Sequence, residues 1–395
     1  MQLGFVHFDR SDQKKYLAVL SKISEGGAID ELGVGRIRDY YSDLMFPGIS
    51  SLHQHAKYFS LMPLLYREAT RRKYMSLSDV RPAIRHMEIE LTKRLCEGSP
   101  GAPGITGSDA LRGGNFVKYD PMYIYGMGLQ TFEIVNTENV EGAIFYASRK
   151  RFDKPIKLSA TELEQGDSDD IESVLNFCTC PSDLEYDWLK ECSLELTLNE
   201  AEFIRGHILS SRACKDSLLH YILDNKIELP EDVPTFETFI LKYREKLPEK
   251  LRHDVETAGF FSDLVDGLFY RYNWLYSREA DEAMVEKFDS WYEDVFLPRR
   301  TGMIESVSGI RIHDNGSIPF CLEAIALMDA KKWSDLDMLI KKRERRIKAS
   351  RYKIDNEKGG FHYNPDTPIH NYKVQFRWGT VRTIVNEILG GLSYE

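Results

Sequence analysis

Apolar residues at positions 251, 255, 258, 261, 265, 268, 272 and 275 recur in steps of three and four. That rhythm puts them on one face of a single long helix, because an α-helix turns once every 3.6 residues. Met284, Phe288, Trp291 and Val295 continue the seam on the next helix. Further helices are predicted around 320–330 and 335–349 and from about 376 to 389, the last ending at Gly390-Gly391. Near the start, Ser11 can cap a helix carrying Tyr16, Leu17, Leu20 and Ile23, which Gly26-Gly27 ends. A short helix fits 36–46 and closes at Pro47-Gly48. A third fits 51 to about 74, with Leu52, Ala56, Phe59 and Leu64 on one side and Pro63 predicted to kink it.

Cap chemistry places other boundaries. Asp120 before Pro121 reads as a side-chain cap followed by a proline where the helix needs no amide donor. Asn199 with Glu202 has the form of a capping box, and Asp216 can cap the run "SLLHYIL". Residues 141–160 lean β or irregular, 162–172 form an acidic surface loop, and the Gly/Pro/Ser-rich stretch 97–109 marks a boundary. The expected fold is mostly α and multi-helical, with a small β or irregular insertion. It divides into an N-terminal helical domain (1–100), a mixed segment with a helix-turn-helix candidate at 110–130 (110–180), and a C-terminal helical domain (181–395).

Composition changes the picture in three ways. The 395 residues carry 20 Phe, 21 Tyr and 5 Trp, ample material for a sizeable core. No apolar run reaches the roughly 18 residues a membrane helix needs, and the N-terminus lacks the basic start and apolar core of a signal peptide, so a cytoplasmic protein is expected. Six Cys spread over this length point to reduced thiols rather than a disulfide frame. "CTC" at 178–180 is too closely spaced for a zinc knuckle and reads as buried or incidental thiols. The net charge of −10 argues against wholesale wrapping of nucleic acid. From Lys331 onward, however, 14 Lys+Arg face 8 Asp+Glu, so a basic end is joined to an acidic body.

Common catalytic signatures are missing. There is no G-x-x-x-x-G-K-[ST], no G-x-G-x-x-G, no H-E-x-x-H, no G-x-S-x-G, no phospholipase-D-type H-x-K and no deaminase H-x-E with P-C-x-x-C. "GVG" at 33–35 is too short to cradle phosphates. No cofactor is expected. His53 and His55, two apart on a predicted helix, point to different faces and cannot chelate one ion together, and His7 could join them only through tertiary contact. Asp39 and Asp43 share a helix face. With Glu31, and with Lys57 assisting, they can hold a divalent cation for phosphodiester cleavage; they can equally pair with Arg36 or with basic residues on the next helix. The run "KKRERRIKASRYK" (341–353) offers Lys341, Lys342, Arg343, Arg345, Arg346, Lys348, Arg351 and Lys353. On a helix from about Asp335, Leu336, Leu339, Ile340 and Ile347 face inward, and most of the basic side chains face water. There they form either a solvated face or a phosphate-tracking one, with Tyr352, Phe361 and Tyr363 near enough in sequence to stack on bases.

The stretch "DELGVGRIRDYYSDLMFPGISSLHQHAKYFSLMPLLYRE" resembles the N-terminal signature of the bacterial Domain of Unknown Function 6361 family. The resemblance continues at "PMYIYGMGL", "LTLNEAEFIRGHILSSRACKDSLLHYIL", "GFFSDLVDGLFYRYNWL" and "FRWGTVRTIVNEILGGL". His55 stands where the family tends to have Arg, and Gly126 where it tends to have Trp. The resemblance implies no catalytic residue. It implies a non-catalytic subunit of an antiphage defence system, working beside helicase, nuclease or methyltransferase subunits, with DNA as a further partner and no membrane. Within the signature, Gly33 and Gly35 would let a helix begin against a neighbour's backbone, Arg38 would pair with Asp39 across an interface, and Phe46-Pro47-Gly48 would make a turn; Arg36, Arg38, Pro47 and Gly48 are then structural.

Overall fold

The computed structural model describes residues 30–115, 117–152, 176–182, 189, 192–312, 316–370 and 372–393. The expected helix from Ser11, His7 and the acidic loop 162–172 lie outside the described residues. The described chain is helical, and its one extended pairing is an isolated antiparallel bridge between Val135 and Cys178. No described helix is long and apolar enough to cross a membrane.

The described chain forms two compact units, each discontinuous in sequence: residues 46–229 with 379–393, and residues 30–45 with 230–378. It begins in the second unit with α1 (Gly35–Met45). The first unit holds α2 (Tyr58–Ala69), α3 (Val80–Gly98), α4 (Ser108–Arg112), α5 (Pro121–Thr131), α6 (Val140–Phe152), α7 (Leu198–Ser210) and α8 (Leu218–Asp224). The second resumes with α9 (Phe236–Tyr243), α10 (Glu249–Tyr276), α11 (Glu282–Trp291), α12 (Leu297–Ser308), α13 (Ser317–Asp329) and α14 (Trp333–Lys348). In α15 (Trp378–Leu392), Trp378 belongs to the second unit and the rest to the first. The compact units therefore cut across the three consecutive blocks expected from loop composition.

In the first unit α2 is the central element. It is buried from Tyr58 to Tyr66 without a polar face and packs on α3, α5, α6 and α7. Asp120 caps α5 as expected, accepting the Tyr123 amide at 3.2 Å, and it is held by Arg81 at 2.6 Å. Beside it, Glu88 accepts the Met122 amide at 2.7 Å. Burial, with Asp120 nearby, pushes the Glu88 carboxyl up to about 8. Helix α15 completes this unit: Asn386 exchanges two hydrogen bonds with the backbone of Leu229, at 3.2 and 2.8 Å.

In the second unit the long helix is as its seam implies. Leu251, Val255, Ala258, Phe261, Val265, Leu268, Tyr272 and Leu275 are all buried, and α10 packs on α1, α11, α12 and α14. Between α11 and α12 the chain makes a π-turn over Tyr292–Phe296. Its extra residue moves the buried position from the expected Val295 to Phe296, which is fully buried.

Several local expectations are corrected. Residues 141–152 belong to α6, not to a β insertion. Val140, Ala143, Ile144 and Ser148 recur on its buried side, and Asn139 caps it by accepting the Gly142 amide at 2.8 Å. The helix expected from 51 starts only at Tyr58, after a turn closed by His53 N–H to Ser50 O. The caps of α7 and α8 are Thr197, boxed with Glu200, and Ser217, rather than Asn199 and Asp216. Gly390-Gly391 lies inside α15 and does not end it; glycine at 391 instead allows close packing, since a side chain there would meet the Ala201 and Leu196 Cβ atoms at 2.8 and 3.0 Å.

Candidate functional site

The opening signature folds into a socket for one arginine. Asp30 turns the chain by accepting the Leu32 amide at 3.1 Å and the Gly35 amide at 2.6 Å, so it caps α1. Gly33 has φ +64°, and a Cβ there would lie 2.9 Å from the Arg343 guanidinium and from the Ile347 methyl, so this position needs glycine twice over. Arg343, only 4% exposed, donates to Leu32 O at 2.7 Å, Gly33 O at 3.1 Å and Gly316 O at 3.0 Å, with Phe320 against its face. Beside it Glu31 accepts from Lys348 at 2.9 Å and Lys353 at 3.0 Å. Burial opposes ionisation of Glu31, but the two ammonium groups outweigh it and hold the carboxyl below its usual range. Glu344, fully buried, accepts from the Tyr272 hydroxyl at 2.6 Å and from the Lys353 and Ile354 amides at 2.7 and 3.1 Å.

Two further charge groups lie in the same unit. Along α1, Arg38 pairs with its neighbour Asp39 at 3.1 Å. Arg377 bonds Asp43 at 2.6 Å and lies 3.7 Å from Asp39. The Arg38–Asp39 pair is thus local to one helix, and the bridging guanidinium is Arg377. Arg36 is exposed. In the middle of α10, Lys373 bonds Asp263 and Asp266 together. Burial pushes Asp266 up to about 6 against the pull of Lys373. The His370 imidazole, stacked on Phe269, is pushed down to about 4 by burial and by Arg38.

The four residues of the metal reading are accounted for separately. Glu31, Asp39 and Asp43 are each neutralised by Lys or Arg. Lys57 belongs to the first unit, where it bonds Glu200 at 2.6 Å and Glu195 O at 2.8 Å. Among the described residues no group of three or more His, Cys, Asp or Glu is placed to hold a metal. His53 and His55 have structural partners. His53 Nδ1 accepts the Ser50 amide at 3.2 Å, which leaves Nε2–H to donate to Ile124 O at 3.1 Å, and the ring stacks on Tyr125. His55 donates to Glu387 at 2.6 Å and to Pro103 O at 2.8 Å. Burial disfavours its charge, but these acceptors outweigh that and raise its pKa.

The basic run 341–353 is divided by α14. Arg343 and Lys348 turn inward to the socket, two exceptions among basic residues that are otherwise exposed or half-buried. Lys342, Arg345, Arg346 and Arg351 are exposed. Lys341 pairs with Asp355 at 3.1 Å, and Arg345 lies over the Tyr352 ring at 5.3 Å. Residues 342, 345 and 346 share one helix face through three- and four-residue spacing. In the helix-turn-helix candidate, α4 has only five residues, and α5 buries Pro121, Ile124, Tyr125, Gly128 and Leu129.

Sequence reasoning missed Asp30, Arg377 and the group of Asp263, Asp266, His370 and Lys373. One signal was available for the last. Asp263 and Asp266 break the apolar run "FFSDLVDGLF", and carboxylates buried in a helix centre require cations from elsewhere in the chain.

No curated protein and no solved structure matches this chain. A family signature does match, over residues 1–287, and so covers the socket-forming stretch, all of α10 and the first part of α11 but not the later "FRWGTVRTIVNEILGGL" segment. With nearly three quarters of its length inside that match, the chain belongs to the family of unknown function DUF6361.

Proposed function

We propose that this chain is a binding subunit of a bacterial antiphage defence complex, without a reaction centre of its own, that touches DNA through the outer face of α14 and docks on a helicase, nuclease or methyltransferase subunit. The observation that carries this reading is the division of the basic run. The inward cations Arg343 and Lys348 fix the helix to the rest of its unit, so that Lys342, Arg345 and Arg346 are presented together on a rigid element. Cations held on one face gain affinity by releasing the counterions condensed on phosphates. The metal-dependent nuclease alternative lacks such support, because a divalent cation at Glu31, Asp39 or Asp43 would have to displace a protein cation already bonded there.

The test is fluorescence anisotropy of a labelled duplex over a salt series, with the wild type and the Lys342→Ala/Arg345→Ala/Arg346→Ala variant. Removing three phosphate contacts lowers the slope of log affinity against log salt by roughly 2 to 3. An unchanged slope in a folded variant removes DNA contact from this face. Recovery of partner subunits from native cells after nuclease digestion separately tests the docking half of the reading.

A further inference from the structure

The "CTC" stretch is not incidental. Residues 177–179 run extended beside the end of α5: the Asn136 amide donates to Phe177 O at 2.7 Å, the Thr179 amide donates to Ile134 O at 2.9 Å, and Val135 bridges to Cys178. Extended backbone sends alternate side chains to opposite faces. Cys178 and Cys180 therefore share a face, whereas Thr179 is exposed. Both thiols are only partly buried. Cys178 Sγ is also 3.8 Å from the carbonyl of Pro63 in α2. Arg67, one turn further along that helix, and Arg71, just past its end, lend a positive field.

The pair is asymmetric. The neighbouring Cys180 thiol holds Cys178 well above the usual thiol range, with burial acting in the same direction. Cys178 lowers Cys180 in turn, and the arginines add to that against the effect of burial. Cys178 Sγ donates to Pro63 O and so keeps its proton, which leaves Cys180 as the sulfur that ionises. The remaining cysteines differ: Cys192, Cys214 and Cys321 are buried, and burial pushes Cys192 and Cys214 up to about 11. Cys96 is partly buried.

We propose that Cys178 and Cys180 are a redox-active dithiol, with Cys180 as the attacking sulfur and Cys178 as the resolving one, and with hydrogen peroxide as the oxidant. The Cys180 thiolate attacks one peroxide oxygen and the O–O bond breaks. The departing hydroxide takes up the proton that Cys180 released, leaving as water, and Cys180 becomes a sulfenic acid. The Cys178 sulfur then attacks the Cys180 sulfur and the S–O bond breaks. The Cys178 proton leaves with that oxygen as a second water, and the S–S bond forms. Overall, two thiols and one hydrogen peroxide give one disulfide and two waters. Two residues of extended chain span about 6.6 Å. That is near the upper limit of the Cα separation a disulfide bridges, so closure needs only local adjustment and the bridge is readily reduced.

The experiment exposes the full-length protein to limiting hydrogen peroxide, blocks remaining thiols by alkylation and maps the peptides by mass spectrometry. The expected result is a peptide containing 178–180 that has lost two hydrogens and becomes alkylatable only after reduction, while Cys96 remains alkylatable throughout. Cys178→Ser is expected to stop at a Cys180 sulfenic acid captured by dimedone, and Cys180→Ser to slow oxidation of Cys178 severalfold. Wild-type protein in which Cys178 and Cys180 stay alkylatable while Cys96 is consumed overturns the proposal. So does thiol loss that arises only from bridges between chains.

Discussion

Arg343 shows how one side chain can give a sequence signature its meaning. Its guanidinium replaces water for three backbone carbonyls, those of Leu32, Gly33 and Gly316, which a tight turn and a helix start would otherwise leave buried without donors. Arg343→Met keeps the apolar stem and removes every donor. The expected loss is about 2–4 kcal/mol of stability, measured by denaturant unfolding, against less than about 0.5 kcal/mol for Arg345→Ala on the exposed side of the same helix. An equal effect of the two substitutions would mean that the socket does not hold the turn. Lysine does not substitute here, because a point charge cannot donate along three fixed directions. The sequence shows Gly33 and Arg343 as unremarkable members of a turn and a charge run; their partnership spans 310 positions and becomes visible only once the chain is folded.

At the level of elements, the contact between the 50–57 turn and α15 carries a pH dependence. His55 donates from both ring nitrogens, to Glu387 and to Pro103 O, and Glu387 also accepts the Ala56 amide at 2.6 Å. The folded state therefore binds the imidazole proton more tightly than the unfolded chain does. Stability from this contact is fully present below the ordinary histidine value of about 6.5 and is lost as pH rises through the raised value. Glu88 acts in the same sense. With its folded value near 8 it keeps a proton that the unfolded chain gives up above about 4.5, so its contribution also declines as pH rises towards 8. Unfolding midpoints measured from pH 5 to 9 are expected to fall towards the alkaline end, and His55→Gln to flatten part of that fall. A midpoint that rises with pH over this range would contradict both assignments. The helices themselves were largely legible, because the α10 seam and the Asp120-Pro121 start depend on neighbours within a few residues. The cap at Thr197 was misplaced by two positions because Thr197 with Glu200 and Asn199 with Glu202 are both plausible boxes. Tertiary bonds to Glu200 from Lys57 and Ser60 distinguish them. Helix α6 was misread because its aromatic residues favour strands, while its buried face is set by Val140, Ala143, Ile144 and Ser148. The Val295-to-Phe296 shift follows from one extra backbone residue, which no apolar pattern announces.

For the molecule as a whole, the decisive property is that neither unit is continuous along the chain. The first takes its closing helix from beyond position 378, and the second takes its arginine socket from residues before 46. A chain stopped after Trp378 lacks Asn386 and Glu387. It is expected to show faster proteolysis within 46–229 and a lower unfolding midpoint for that unit, even though every other helix of the unit is intact. Equal protease resistance in the full and shortened chains would show that α15 is dispensable to it. Boundaries drawn at compositional loops could not anticipate this arrangement, because loop composition reports where the chain turns and not which distant segment returns to pack. The late arrival of α15 also has a consequence for synthesis. Vectorial emergence from a ribosome exposes the part of α7 around Ala201 roughly 170 residues before the helix that packs on it is made. Nascent chains of this protein should therefore depend on holding factors throughout that interval, and slow codons placed ahead of position 379 would prolong their vulnerability.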